Sequence, residues 1–335
     1  MADHSASKSL AGVSRDVLPL RRGPRLVSPS PSRPPMPPVL RGLRSAPARI
    51  ARGLPASHAF ALLARQPLER LAAHEGASAD ALGPDAIHDM RVAARHLRAL
   101  LTAFEDRLDV EAVAFLRGEL SWLQHRLAPA RDWDVFIAKS LAPFSSADPG
   151  FAWLLAAARG KRDRAYAAAQ AALNHRRYAR LILRFRFWLD SLDFADPGRQ
   201  KVDRVIAGYL RTHFRKLLQA LRQGVSSDLE MHRLRLRMKK VSDIGQLAKP
   251  LYRGARRRRF MRRLAKLQTS LGQRQDAVVA RQLAMGLGKT APEAAQRAIA
   301  AIVGAETLRI AEQAARFDAT CARLFRLKRF WRKTA

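Results

Sequence analysis

From Pro55 onward, apolar side chains recur every three or four residues, and strictly alternating runs are absent. That spacing predicts helices rather than strands. The stretch from His88 to Phe104 shows the pattern most clearly. With His88 at zero and 100° per residue, Met90, Leu97, Leu101 and Phe104 fall between about 160° and 220°. Arg91, Arg95 and Arg98 fall at roughly −60°, −20° and −80°, beside the histidine. One side of this helix is built to be buried, and the other presents a histidine and three arginines.

The same texture of Ala, Leu and Arg, all strong helix formers, continues to the end of the chain. Stop signals punctuate it at Gly76, Gly83-Pro84, Pro129, Asp148-Pro149-Gly150, Asp196-Pro197-Gly198, Gly224, Pro250, Gly254 and Gly286. Between them lie about ten predicted helices and no strand. The expected fold is all-α, built from antiparallel bundles.

A shift of 144 positions superposes His88 on His232, Arg91 on Arg235 and Arg95 on Lys239. Without a gap it also matches Leu120, Leu123, Gln124, Leu127, Asp132 and Val135 with Leu264, Leu267, Gln268, Leu271, Asp276 and Val279. One offset that preserves both groups marks an internal duplication, with halves at 55–195 and 196–333. The second copy starts with a capping box, Ser227-Asp228-Leu229-Glu230, which sets His232 in the second turn. Arg235 and Lys239 then share its face, opposite Leu234, Met238 and Val241.

Composition adds the charge. Sixty-two Lys and Arg stand against 28 Asp and Glu, a net charge of +34. Such an excess repels itself in a compact state unless an anion offsets it. A polyanion is the expected partner: nucleic acid, an anionic membrane surface or a chain of phosphates. Residues 1–54 hold half of the proline and read as a basic, disordered tail. The single cysteine, Cys321, excludes an internal disulfide framework and a CxxC zinc site, and fits a reducing compartment. No run of 18 or more apolar residues is present, so no transmembrane helix is expected.

His88-Asp89-Met90-Arg91-Val92-Ala93-Ala94-Arg95-His96-Leu97-Arg98 resembles the signature of the conserved-histidine α-helical domain (CHAD) family, with His96 in place of an arginine. Arg131-Asp132-Trp133-Asp134-Val135 is similar to the family's Arg-Asp-x-Asp-Val element. His232-Arg233-Leu234-Arg235, Lys239-Lys240 and Leu271-Gly272-Gln273-Arg274-Gln275-Asp276 resemble the second-half counterparts. Tyr178-Ala179-Arg180-Leu181 with Trp188-Leu189 also looks familiar. The resemblance covers roughly residues 57–330. It implies two pseudo-symmetric antiparallel four-helix bundles with a basic surface or channel between them. It further implies binding of inorganic polyphosphate without catalysis. The second half departs from the pattern at Ser242 and Asp243, where the family carries Arg then Tyr. Asp243 falls beside the basic stripe, where it weakens the second copy or pairs with Lys239 at i, i+4.

Polyphosphate offers closely spaced charges and no base, so its capture rests on Lys and Arg displacing counterions. The candidate ligand-binding residues are His88, Arg91, Arg95, Arg98 and Arg131 in the first half. In the second they are His232, Arg235, Lys239 and Lys240. Arginine suits the task because its planar guanidinium grips phosphate oxygens with paired hydrogen bonds. No catalytic residue, metal or cofactor is expected. Asp132 and Asp276 read as structural, and Asp132-Trp133-Asp134 lacks the further oxygen ligands a metal needs. Gly286-Leu287-Gly288-Lys289-Thr290 ends like a P-loop, but its first glycine is missing and no strand precedes it. The run Arg256-Arg257-Arg258-Arg259, with Arg262, Arg263 and Lys266, points all around a helix and extends the electrostatic footprint. Arg211, His213, Arg215 and Lys216 are candidates to line the same groove. Aromatics sit mostly at core spacing, which disfavours base-stacking.

The leading expectation is a non-enzymatic polyphosphate-binding protein of the cytoplasm, targeted to polyphosphate granules. The alternatives are a nonspecific DNA- or RNA-binding protein using the same surface, and a phosphohydrolase with His88 and His232 as acid–base groups.

Overall fold

The computed structural model describes residues 50–78, 81–144, 148–192, 200–225 and 227–331, excepting the side chains of 318–320 and 323. The Pro-rich tail, up to residue 49, lies outside them. Residues 48–335 form one compact unit. All regular structure among the described residues is helical. The helices are α1 (Ala56–Ala72), α2 (Pro84–Ala103), α3 (Val110–Val135), α4 (Pro149–Asn174), α5 (Arg176–Ser191), α6 (Val202–Arg222), α7 (Asp228–Leu247), α8 (Ala255–Gly288) and α9 (Glu293–Phe325). A 3-10 turn (Glu105–Arg107) precedes α3, and a π-helical stretch (Phe136–Leu141) continues it.

The ends follow from local chemistry. Asp109 and Asp148 cap α3 and α4, their carboxylates accepting backbone N–H groups of the first turn at 2.7–3.0 Å. The capping box at α7 is formed in both directions, Ser227 Oγ accepting from Glu230 N and Glu230 Oε2 from Ser227 N. Pro129 does not end a helix but lies inside α3. Leu120, Leu123, Leu127 and Ala130 around it are fully buried, and that packing outweighs the lost backbone bond. Gly286 likewise falls within α8.

The 144-residue offset reappears in the boundaries. Both ends of α2 map onto both ends of α7, and the starts of α4 and α9 coincide. The starts of α3 and α8 differ by one residue. Offset-related helices also pack on one another: α2 on α7, α3 on α8 and α4 on α9. At the last crossing, a Cβ on Gly150 would stand 2.5 Å from the carbonyl of Ala294, its own offset mate, so the backbones touch there. Helix α5 has no counterpart, because the matching stretch completes α9 at Phe325 and no further helix follows among the described residues.

The main core runs through both halves. Phe60, Phe104, Phe185 and Trp188 pack together in the first half, and Phe214, Phe260, Phe330 and Trp331 in the second. A second, smaller core at the far ends joins Phe136, Leu154 and Ala158 to Ala284, Leu287 and Ile302. Residues 50–54, assigned to the tail by composition, pack on the main core through Ile50 and Leu54. Arg52 donates to the Leu251 carbonyl and lies over the Tyr252 ring. Apolar residues at only two of these positions were too few to register as a periodic segment.

Candidate functional site

Contact between α2 and α7 brings the two basic stripes face to face. Arg91 and Arg95 come from α2, and Arg235 and Lys239 from α7, all half-buried. The last turns of α3 supply Arg131 and Asp132, and the middle of α8 supplies Asp276. Burial pulls the Arg235 guanidinium below its ordinary pKa; Asp276 opposes this, and Arg95 and Arg91 add to it. Arg91 is lowered in the same way, burial outweighing Asp132 while Arg95 and Arg131 contribute. Lys239 falls to about 7, mainly through burial and then through Arg235 and Arg95, with Asp243 pulling the other way. Cations from both halves thus act on each other at short range in a partly dry site, a costly arrangement without an anion.

The carboxylates among them show the same crowding. Burial raises the Asp132 pKa; Arg91 opposes that, and Asp276 raises it further, so the two offset-related aspartates face each other across the halves. Lys139 of the π-helical stretch donates to Asp276 Oδ2 at 2.8 Å.

Asp243 departs from expectation. Its side chain is 3% exposed, and its partner is Arg95 of the first half rather than Lys239. Arg95 Nε lies 3.1 Å from both carboxylate oxygens, and His96 Nε2 lies 3.8 Å from Oδ1. The wheel placed Asp243 on the right side of α7, but it could not show that α2 would stand opposite.

The remaining candidates divide. His88 is exposed beside Arg131, Arg95 and Arg91; burial of the ring, then those cations, lower its pKa. His232 shares a 2.9 Å hydrogen bond with Gln275 Oε1. Arg98 turns away, donating to Gln124 Oε1, and Arg117 is the nearest cation acting on it. Its offset mate Ser242 donates to Gln268 Oε1 at 2.8 Å, so the substituted residue keeps the same partner. Lys240 is exposed and faces α6, where burial, Lys240 and Lys216 depress His213 to about 4. His213 packs against Tyr209, ring centroids 4.0 Å apart and planes tilted by 42°, and both line a cleft of about 910 Å³ with Arg107, Arg204, Arg211 and Trp331. None of the nine candidate residues lines that cleft, so the α6 group does not extend the α2–α7 cluster.

Sequence reasoning missed Lys139, Gln124 and Gln268. Both glutamines are visible in the offset match, where they pass for packing residues. Asp134 is structural: it is buried and accepts from Arg162 Nε and Tyr166 OH, each at 2.7 Å, which pins α3 to α4. No cluster of three or more His, Cys, Asp or Glu suited to a metal exists among the described residues. No described helix is long and apolar enough to cross a membrane.

The fold and this cluster define an all-α protein with a cationic seam between related helices. A model of the CHAD domain matches residues 62–285, and the chain belongs to that family. Its fold is similar to the crystal structure of the CHAD domain from the plant Ricinus communis, with a TM-score of 0.71 and 29% identity. That match covers 82% of this chain and 93% of the plant one. PptA from Streptomyces chartreusis shares the fold at a TM-score of 0.64 and 18% identity, over 79% of this chain and 99% of its own. No curated protein matches the sequence.

Proposed function

We propose that the chain binds inorganic polyphosphate without transforming it, and that the seam between α2 and α7 is where it does so. The two halves are read as pseudo-symmetric four-helix bundles, α1–α4 and α6–α9, with α5 added to the first and the seam as the basic channel between them. The observation that carries this is the gathering of Arg91, Arg95, Arg235 and Lys239 in one half-buried seam, where burial first and then their mutual repulsion lower three of the four pKa values. A chain of phosphates relieves that stress at every position, because each guanidinium can grip phosphate oxygens and Lys239 regains its proton. His88 lies beside Arg131, Arg95 and Arg91, and His232 holds the matching position on α7. Retention on polyphosphate granules in the cytoplasm follows from such binding.

Nothing in the cluster resembles an activated nucleophile. His88 is exposed, and His232 is engaged with Gln275 rather than with a serine, cysteine or carboxylate. The competing assignment is a nonspecific nucleic-acid binder. Competition separates the two: duplex DNA at equal phosphate concentration is expected to leave long-chain polyphosphate bound. Displacement by DNA overturns the proposal, as does shortening of polyphosphate by the protein over hours.

A further inference from the structure

The first twelve residues of α8 hold six exposed cations: Arg256, Arg258, Arg259, Arg262, Arg263 and Lys266. None of these side chains has a hydrogen bond or ion pair with a described residue, and α8 carries no acid before Asp276. Cations in a first turn oppose the helix dipole, so they are not there to stabilise α8. The fourth arginine of the run behaves differently. Arg257 donates to the carbonyls of Gly245 and Gln246 at 2.8–3.4 Å and closes the end of α7.

On the helical wheel, with Arg256 at zero, Arg259, Arg263 and Lys266 fall at about −60°, −20° and −80°. Arg257, Met261 and Gln268 fall between about 100° and 140°, on the side that meets α7. Four cations therefore form a straight stripe about 15 Å long, spaced like His88, Arg91, Arg95 and Arg98. It is separate from the seam, because it lies on the side of α8 turned away from α7, which Met261 and Gln268 meet.

The duplication shows what the stripe replaces. Its offset mates are Ala112, Phe115, Glu119 and Trp122. There, α5 covers the face: Arg177 pairs with Glu119 at 2.8 Å and lies over Trp122, and Arg184 lies over Phe115. Among the described residues the second half has no counterpart of α5, and the open face carries four cations where the first half has Ala, Phe, Glu and Trp. Neither packing nor the repeat demands charge at these positions.

We infer that this face of α8 is a second docking surface for a linear phosphate chain, outside the seam. The inference rests on the polyphosphate reading for the identity of the polymer. A base-free chain fits because the stripe has no exposed aromatic side chain for bases to stack on. Two separate tracks on one molecule let it hold two lengths of polymer and link strands together.

The test is a variant with Arg256→Gln, Arg259→Gln, Arg263→Gln and Lys266→Gln, which keeps Arg257. Titrated with long-chain polyphosphate, it should bind roughly tenfold more weakly, and its log–log salt slope should fall by about 3. Tripolyphosphate, too short to engage all four cations of the stripe about 15 Å long, should bind the seam of the variant as it binds that of the unaltered protein, which also reports an intact fold. Arg258→Gln, about 120° around α8 from the centre of the stripe, should change the slope less than about a quarter as much. An unchanged affinity and slope overturn the inference and leave the seam untouched. Loss of duplex DNA binding with polyphosphate binding unchanged also overturns it, in favour of nucleic acid. Failure of the unaltered protein to bind tripolyphosphate counts against the seam instead.

Discussion

Arg95 of α2 and Asp243 of α7, on helices related by the 144-residue offset, are joined through one contact, Arg95 Nε standing 3.1 Å from each carboxylate oxygen. Because only the Nε–H is committed, the outer N–H groups of Arg95 stay available to a ligand. Asp243 also draws Lys239 toward its charged form.

Asp243→Asn leaves Arg95 half-buried without its counter-ion. The cost is expected at about 1–3 kcal/mol, below that of a fully buried pair because Arg95 keeps some access to water. Urea unfolding should show a lower midpoint at unchanged slope. Added polyphosphate should recover more stability in the variant than in the unaltered protein. An unchanged midpoint would mean that the bridge contributes nothing to joining the halves.

Lys239 gives the seam a pH dependence whose sign is fixed. Its folded pKa of about 7 lies below its unfolded value. Between the two, the unfolded chain holds the extra proton, so this residue's contribution to stability improves as pH rises from about 7 toward about 10. Polyphosphate favours the charged amine, so binding should take up a proton above about pH 7 and weaken as pH rises. Calorimetry in buffers of differing ionisation enthalpy reads this directly. Lys239→Arg should abolish the proton uptake; uptake that persists in that variant assigns the titration elsewhere.

The two aspartates of Arg131-Asp132-Trp133-Asp134-Val135 should separate cleanly. Asp132 faces the cations of the seam and Asp276, so Asp132→Asn removes a repulsive charge and should tighten polyphosphate binding several-fold. Asp134 holds Arg162 and Tyr166, and Asp134→Asn should cost about 2–4 kcal/mol of stability while folded protein binds as before. A matched loss of stability in both variants would contradict the division of roles.

Much of this architecture can be read from periodicity. Met90, Leu97, Leu101 and Phe104 are all fully buried, as the wheel requires, and the offset that aligns His88 with His232 also aligns the helix ends. What periodicity cannot reach is contact between helices far apart in sequence. Asp243 was legible as a carboxylate beside a basic stripe, but its partner lies 148 residues away. Arg98 and Lys240 share helical faces with seam residues yet point toward Gln124 and α6, because a 100° step does not resolve which neighbour each edge meets. Pro129 was a stop signal by propensity and lost to the burial around it.

The central claim is that cations from both halves bind one phosphate chain at the α2–α7 seam. It is tested most directly by Arg91→Gln/Arg235→Gln, titrated with tripolyphosphate across a range of salt. One substitution falls in each half, and neither side chain has an ion pair to lose among the described residues. The account predicts that the double variant keeps its helicity, loses at least tenfold in affinity, and shows a salt slope shallower by about 1–2. Affinity and slope equal to those of the unaltered protein would contradict it.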